Sequence, residues 1–301
     1  MEIPLSRLQL VRWTLILAVP LVLCTAAAQQ SLVAPPVELV RQAVQNETRT
    51  IDSAKYMFRD HKETPQGSQT KLMVETCDAM AGIVVAINGR PLSPEQRQAE
   101  YFREERFVQN PEELKRKQRQ EKDTNERITR ILKALPDAFL YEYDGTAASD
   151  GRVGKPGDDL MRLKFRPNPK YDPPSHVEQV LTGMQGYILV DPHQERIAKI
   201  DGSLAKDVGF GWGFLGHLDH GGHFLVEQGE VDNGHWEITR MALALTGKVL
   251  LVKSLNIKST EVFSDFRPVP STLTFAQGLD LLKKQEATTA ENREQNSETH
   301  Q

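Results

Sequence analysis

Gln185-Gly186-Tyr187-Ile188-Leu189-Val190-Asp191-Pro192-His193-Gln194-Glu195-Arg196-Ile197-Ala198-Lys199-Ile200-Asp201-Gly202 holds two short apolar runs joined by a polar Asp-Pro turn. Runs of this length, rich in β-branched residues and bounded by turn residues, predict strands over 185–190 and 196–200. A connection this short makes the two strands antiparallel neighbours. The same pattern continues on both sides. Upstream, Phe139, Tyr141 and Tyr143 share a face, and Met161, Leu163 and Phe165 face away from Arg162, Lys164 and Arg166. The proline-rich loop from Pro167 to Pro174 reads as an edge crossing. Downstream, strands are expected over Phe224–Glu227, Trp236–Leu245 and Val249–Ile257, separated by Asp232-Asn233-Gly234 and Gly247. The result is a long antiparallel meander whose apolar side must be buried, by closing into a barrel or under helices.

The chain before this region supplies candidate covers. Val37, Val40, Val44, Ile51, Ala54 and Phe58 recur at helical spacing and predict one amphipathic helix of roughly six turns. Two strand-like runs follow, Leu72/Val74/Thr76 and Ile83/Val85/Ile87, closing at the turn signal Asn88-Gly89. Residues 95–135 then turn strongly polar, with eight basic and five acidic residues between Glu112 and Lys133, and read as a charged helical insertion. Leu273 to Leu282 is a possible second lid. Residues 285–301 lack large apolar groups and are expected to be a disordered tail, leaving 29–284 as one domain.

Composition excludes several classes. The 301 residues carry 37 Lys+Arg against 41 Asp+Glu, for a net charge of −4. That balance offers no bulk basicity for nucleic acid. At the start, Arg7 and Arg12 form a basic stretch before an apolar run, Trp13 to Leu23, too short for a bilayer core of about 20 residues. Ala26-Ala27-Ala28 follows, which predicts a signal peptide over 1–28 and export to the periplasm. Cys24 raises lipid anchoring as the lesser alternative, because Leu23 is large for a lipobox. Removing such a segment leaves Cys77 without a disulfide partner, and a buried structural thiol is expected there.

The candidate sites are sparse. In Gly209-Phe210-Gly211-Trp212-Gly213-Phe214, the residues Phe210, Trp212 and Phe214 share one face of an extended strand and would suit an apolar ligand or a core. His217, Asp219, His220 and His223 are zinc-ligand types, but their spacing matches no helical metal motif, so no metal is assigned. Nucleophile-elbow, phosphate-loop and dinucleotide fingerprints are missing from the sequence, which is therefore not read as an enzyme and implies no cofactor.

A signal peptide, an amphipathic helix and an antiparallel meander together resemble periplasmic lipoprotein-carrier-like (LolA-like) proteins over Val37 to Phe275. Gly186–Asp191 and Glu195–Gly202 look like their sheet hairpins. The pattern also resembles uncharacterised exported acidobacterial proteins. The resemblance implies an α+β fold, a curved antiparallel half-barrel covered by amphipathic helices. It further implies an apolar cavity that receives lipid or lipoprotein acyl chains. The charged insertion departs from the compact pattern, and the gating arginine of the carriers aligns with no residue here. Two alternatives stay open: a periplasmic structural protein with a packed sheet and an envelope protein as partner, and a metal-dependent hydrolase using the histidines.

Overall fold

The computed structural model describes residues 34–50, 54–210, 216–249 and 253–298. These form an open, curved antiparallel sheet of thirteen strands with five helices. The first helix, α1, is Pro36–Thr50. Strands β1 (Lys55–Thr64), β2 (Gly67–Val74), β3 (Ala81–Ile87) and β4 (Arg90–Pro91) follow. Helices α2 (Pro94–Gln109) and α3 (Pro111–Ala138) lead to β5 (Phe139–Ala148) and β6 (Asp159–Pro167). A short helix α4 (His176–Gln179) precedes β7 (Met184–Asp191) and β8 (Arg196–Leu204). Then come β9 (Val208–Phe210), β10 (Gly216–Leu218), β11 (His223–Asp232), β12 (His235–Val249), β13 (Lys253–Val269) and α5 (Phe275–Glu298). The strand order is β4-β3-β2-β1-β13-β12-β11-β8-β7-β6-β5, with the β9–β10 hairpin attached to β12. The meander expected from Ala138 onward is present, and β13 joins it to the amino-terminal hairpins by pairing with β1.

Local chemistry explains most element boundaries. Asn88 and Gly89 both take positive φ, 51° and 73°, so the β3–β4 hairpin turns in two residues. Ser93 caps α2 through a capping box with Gln96, and the Asn110 side chain caps α3 by accepting from the amides of Glu112 and Glu113. The helix expected through Phe58 stops at Thr50 instead. Tyr56, Met57 and Phe58 lie in β1, hydrogen-bonded to β2 on one side and β13 on the other. Thr48, Thr50 and Ile51 are β-branched, which weakens the helix just where two ladders are on offer.

The ladder registers separate the two sides of the sheet. Lys62, Glu261, Met241, Val226, Ile200, Ile188 and Leu163 form one cross-strand row from β1 to β6, so they share a face. At the β5–β8 end this face is covered by α1 and by the last turns of α3. Val40, Ala43 and Val44 pack there with Leu135, Leu163, Phe165 and Ile188. Leu72 and Val74 point the other way, and α5 packs on them through Phe275, Leu279 and Leu282. The two ends of the sheet are therefore covered on opposite faces. Helix α3, about 42 Å long at 1.5 Å per residue, runs between them, with Leu114 against the core at β2–β3 and Leu135 in the core at β5–β8.

The helical insertion is as expected, but it is not a detachable appendage. Helix α2 lies along β3, where the Val84 amide donates to Glu100 Oε2 at 3.2 Å. This carboxylate occupies a strand-edge donor that would otherwise stand open. Two further expectations are corrected. Residues 285–298 belong to α5 rather than to a disordered tail. Glu286 is buried, accepts from the Tyr101 hydroxyl at 2.7 Å and pairs with Arg97 at 2.9 Å, so a polar composition is held by specific partners. Cys77 is exposed rather than buried, because β2 ends at Val74 and the thiol falls in the turn beyond it. The signal-peptide region and Cys24 lie outside the described residues.

Candidate functional site

The central strands carry the feature that distinguishes this sheet. Along β13, Leu255, Ile257 and Phe263 lie on the face of Val226 and Met241, while Ser254, Asn256, Lys258 and Thr260 lie on the other. Along β12, Met241, Leu243 and Leu245 repeat the division against Arg240, Ala242 and Thr246. Phe58 and Met73 extend the apolar side onto β1 and β2. Phe58 stacks on Phe266 with ring centroids 5.4 Å apart and meets Phe263 edge-on at 6.0 Å. This clean alternation is what a sheet with one wet and one covered face requires. Among the described residues, α5 meets the end of β13, where Arg267 donates to Gln285 and Val269 packs against the core of Phe275 and Leu279, and no helix makes extensive contact with the rest of β11, β12 and β13. Accordingly Phe58, Met73, Val226, Met241, Leu243, Ile257, Phe263 and Phe266 all remain half-buried rather than buried.

The wall has definite margins. On the β8 side Ile200 and Phe224 continue it into the core beneath α1. At the β9–β10 hairpin Phe210 packs with Leu204, Val208 and Leu218, next to Leu245 and Leu255. Of the three aromatic residues expected to line a ligand site, Phe210 thus borders the wall; Trp212 and Phe214 lie outside the described residues. On the β1 side the face turns ionic, with Lys62 Nζ 2.5 Å from Glu261 Oε1. Burial, followed by the charge of Glu261, pushes the Asp60 carboxyl above its usual range.

Helix α1, which closes one end of the wall, is held by a buried polar anchor. Glu47 Oε1 accepts from the Ile197 amide at 3.1 Å, and Glu47 Oε2 pairs with Arg196 at 3.1 Å, both side chains being 9% exposed. The Asn46 side chain donates to the carbonyls of Gln194 and Glu195. Close by, the Glu237 carboxyl is pushed up to about 7, first by burial and then by the charge of Glu75, with Arg196 opposing.

The histidines do not converge. His217 pairs with Asp219 at 3.2 Å, His220 with Asp207 at 3.4 Å and His223 with Asp201 at 2.9 Å. Each imidazole has its own carboxylate, and no cluster of three metal-ligand side chains exists among the described residues. Two clefts lie away from the apolar wall. One, of about 730 Å³, sits between α3 and the β2–β3 turn and is lined by charged groups including Lys55, Asp78, Glu121 and Lys133. The other, of about 490 Å³, lies over Arg162, Lys164, Tyr187 and Asp201, with the Arg162 guanidinium 3.7 Å from the Tyr187 ring centre.

Sequence reasoning stopped the last strand at Ile257, because Ser259 and Glu261 interrupt its apolar alternation. Phe263 and Phe266 were therefore missed; the spacing of Leu255, Ile257 and Phe263 on odd positions is the signal that finds the first of them. The sequence matches no family model and no curated protein. A solved structure to which the chain is similar is that of a DUF1329 family protein from Desulfovibrio piger ATCC 29098, with 11% identity and a TM-score of 0.27. That match covers 78% of this chain and 94% of the other.

Proposed function

We propose that this chain is an exported envelope protein that binds or carries a hydrophobic ligand, a lipid or the acyl chains of a lipoprotein, on the uncovered apolar face of its sheet. The observation that carries this reading is the continuous half-exposed wall of Phe58, Met241, Leu243, Ile257, Phe263 and Phe266. A contiguous exposed apolar patch on a folded chain marks a binding surface. Its non-directional chemistry suits alkyl chains, which gain about 25 cal/mol per Å² removed from water. The ionic margin at Lys62, Asp60 and Glu261 gives a polar headgroup somewhere to lie without leaving the wall. The resemblance to lipoprotein-carrier-like proteins points the same way.

The test is titration of the signal-free protein with a fluorescent fatty acid, beside a Met241→Gln/Leu243→Asn double variant. Both side chains are already half-buried, so each adds roughly half of the ~1.5–3 kcal/mol of full burial. The double variant should bind about tenfold or more weakly, with unchanged circular dichroism. Undiminished binding by the variant, or no binding by the parent at micromolar concentration, removes the reading.

A further inference from the structure

At its β1–β2 margin the apolar wall holds two charges that nothing among the described residues answers. Asp60 lies directly across from Lys71 of β2 on one side and from Phe263 of β13 on the other, so all three share the wall's face with Phe58 and Met73. Their charged neighbours are matched. Arg59 pairs with Asp265 at 3.1 Å, His61 with Glu63 at 3.3 Å and Lys62 with Glu261 at 2.5 Å. Asp60 and Lys71 form no ion pair, with each other or with any other side chain, among the described residues. Asp60 Oδ1 is buried and receives no hydrogen bond. Directly opposed residues of antiparallel strands have Cβ atoms about 4.5–5.5 Å apart, and opposite charges placed there normally attract. Here the two half-buried side chains stay apart, one anion and one cation side by side at the border of an apolar surface. Unmatched charge in such surroundings is unfavourable.

A ligand that supplies both missing partners relieves this. We propose that the wall takes a zwitterionic phospholipid of the phosphoethanolamine class, with its ammonium on Asp60, its phosphate on Lys71 and its acyl chains along Phe58, Phe263 and Met241. The inference rests on the reading of the wall as a lipid site and specifies the lipid. A phosphate and a primary amine two carbons apart match the spacing of directly opposed strand residues. A bare fatty acid answers Lys71 alone and brings a second carboxylate towards Asp60, while an alkylamine leaves Lys71 unanswered. A quaternary ammonium of the choline type has the charge but no N–H. The primary ammonium has three donors for a carboxylate oxygen that lacks one. The Asp χ2 torsion is soft, so Oδ1 can turn towards a donor arriving at the wall. Burial and the charge of Glu261 push the Asp60 carboxyl upward, and a cation beside it opposes that shift. The neighbouring Lys62–Glu261 pair is already matched and takes no part.

The experiment is displacement of the neutral apolar fluorophore N-phenyl-naphthylamine from the protein by single-chain lipids below their micellar concentrations. The four competitors share a myristoyl chain and differ in headgroup: lysophosphatidylethanolamine, lysophosphatidylcholine, myristate and the uncharged monoglyceride. The phosphoethanolamine lipid should displace at a concentration about tenfold below that of the monoglyceride, the scale of one charge-assisted hydrogen bond, and ahead of the choline lipid and myristate. Asp60→Asn and Lys71→Gln should each remove most of that advantage. Neither substitution deletes a native ion pair, so both variants should keep the parent's circular dichroism. Equal displacement by the phosphoethanolamine lipid and the monoglyceride, or an advantage that survives both substitutions, overturns the headgroup assignment while the lipid wall stands. An advantage that Lys71→Gln removes and Asp60→Asn does not points to a plain anion and also overturns it. If none of the four lipids displaces the fluorophore, the wall holds no lipid and the inference falls with that reading.

Discussion

Ile188 sits at the middle of the row that defines the apolar face, 2% exposed, with α1 above it and β6 and β8 beside it. Ile188→Ala leaves a hole that backbone ladders on both sides cannot close, and should cost about 3 kcal/mol in chemical denaturation. Glu237 should show itself through pH. Its folded-state pKa, about 7, lies above the unfolded value near 4.5, so the folded protein binds the extra proton between them. Glu237 therefore lowers stability progressively as pH rises from about 4.5 through 7. Glu237→Gln should flatten that decline and raise Tm at pH 8; a variant with the parent's slope contradicts the assignment. At this scale the sequence was informative where alternation was clean, as in Met161/Leu163/Phe165, and silent where burial is tertiary. Nothing local marks Glu47 as buried or the Glu237 carboxyl as pushed upward, because their neighbours Arg196 and Glu75 are far away along the chain.

Elements were legible when they announced their own ends. The hairpin at Asn88-Gly89 and the capped helices α2 and α3 are fixed by turn and cap residues, and they lie where the sequence puts them. The boundary between α1 and β1 was not legible, since Val37 to Phe58 satisfies a helical period while Tyr56 to Phe58 is captured by two neighbouring strands. The insertion reads as a solvated charged helix from its composition, yet its ends belong to two different cores and α2 satisfies the β3 edge. Deleting residues 95–135 should consequently abolish cooperative unfolding and leave aggregated protein. A deletion variant with a sharp, reversible melting transition would mean that the strap is dispensable.

For the whole molecule, the meander and its covering helices follow from alternation and short turns, but the arrangement of the covers does not. Which face each helix takes depends on the β1–β13 ladder, whose partners are some two hundred residues apart, and no local pattern encodes it. With α1 and α3 on one face at one end and α5 on the other face at the other end, no described helix lies over the central apolar wall. A packed sheet and an open one share the same alternation, and Phe58, Leu243 and Phe263 are half-buried. The central claim is that this wall holds a lipid. Native mass spectrometry of the protein, expressed with its amino-terminal segment and purified without detergent, tests it most directly. The account predicts a co-purified species of several hundred daltons that is lost on denaturation and replaced by an added fatty acid. A bare polypeptide mass that takes up no fatty acid at micromolar concentration would contradict it.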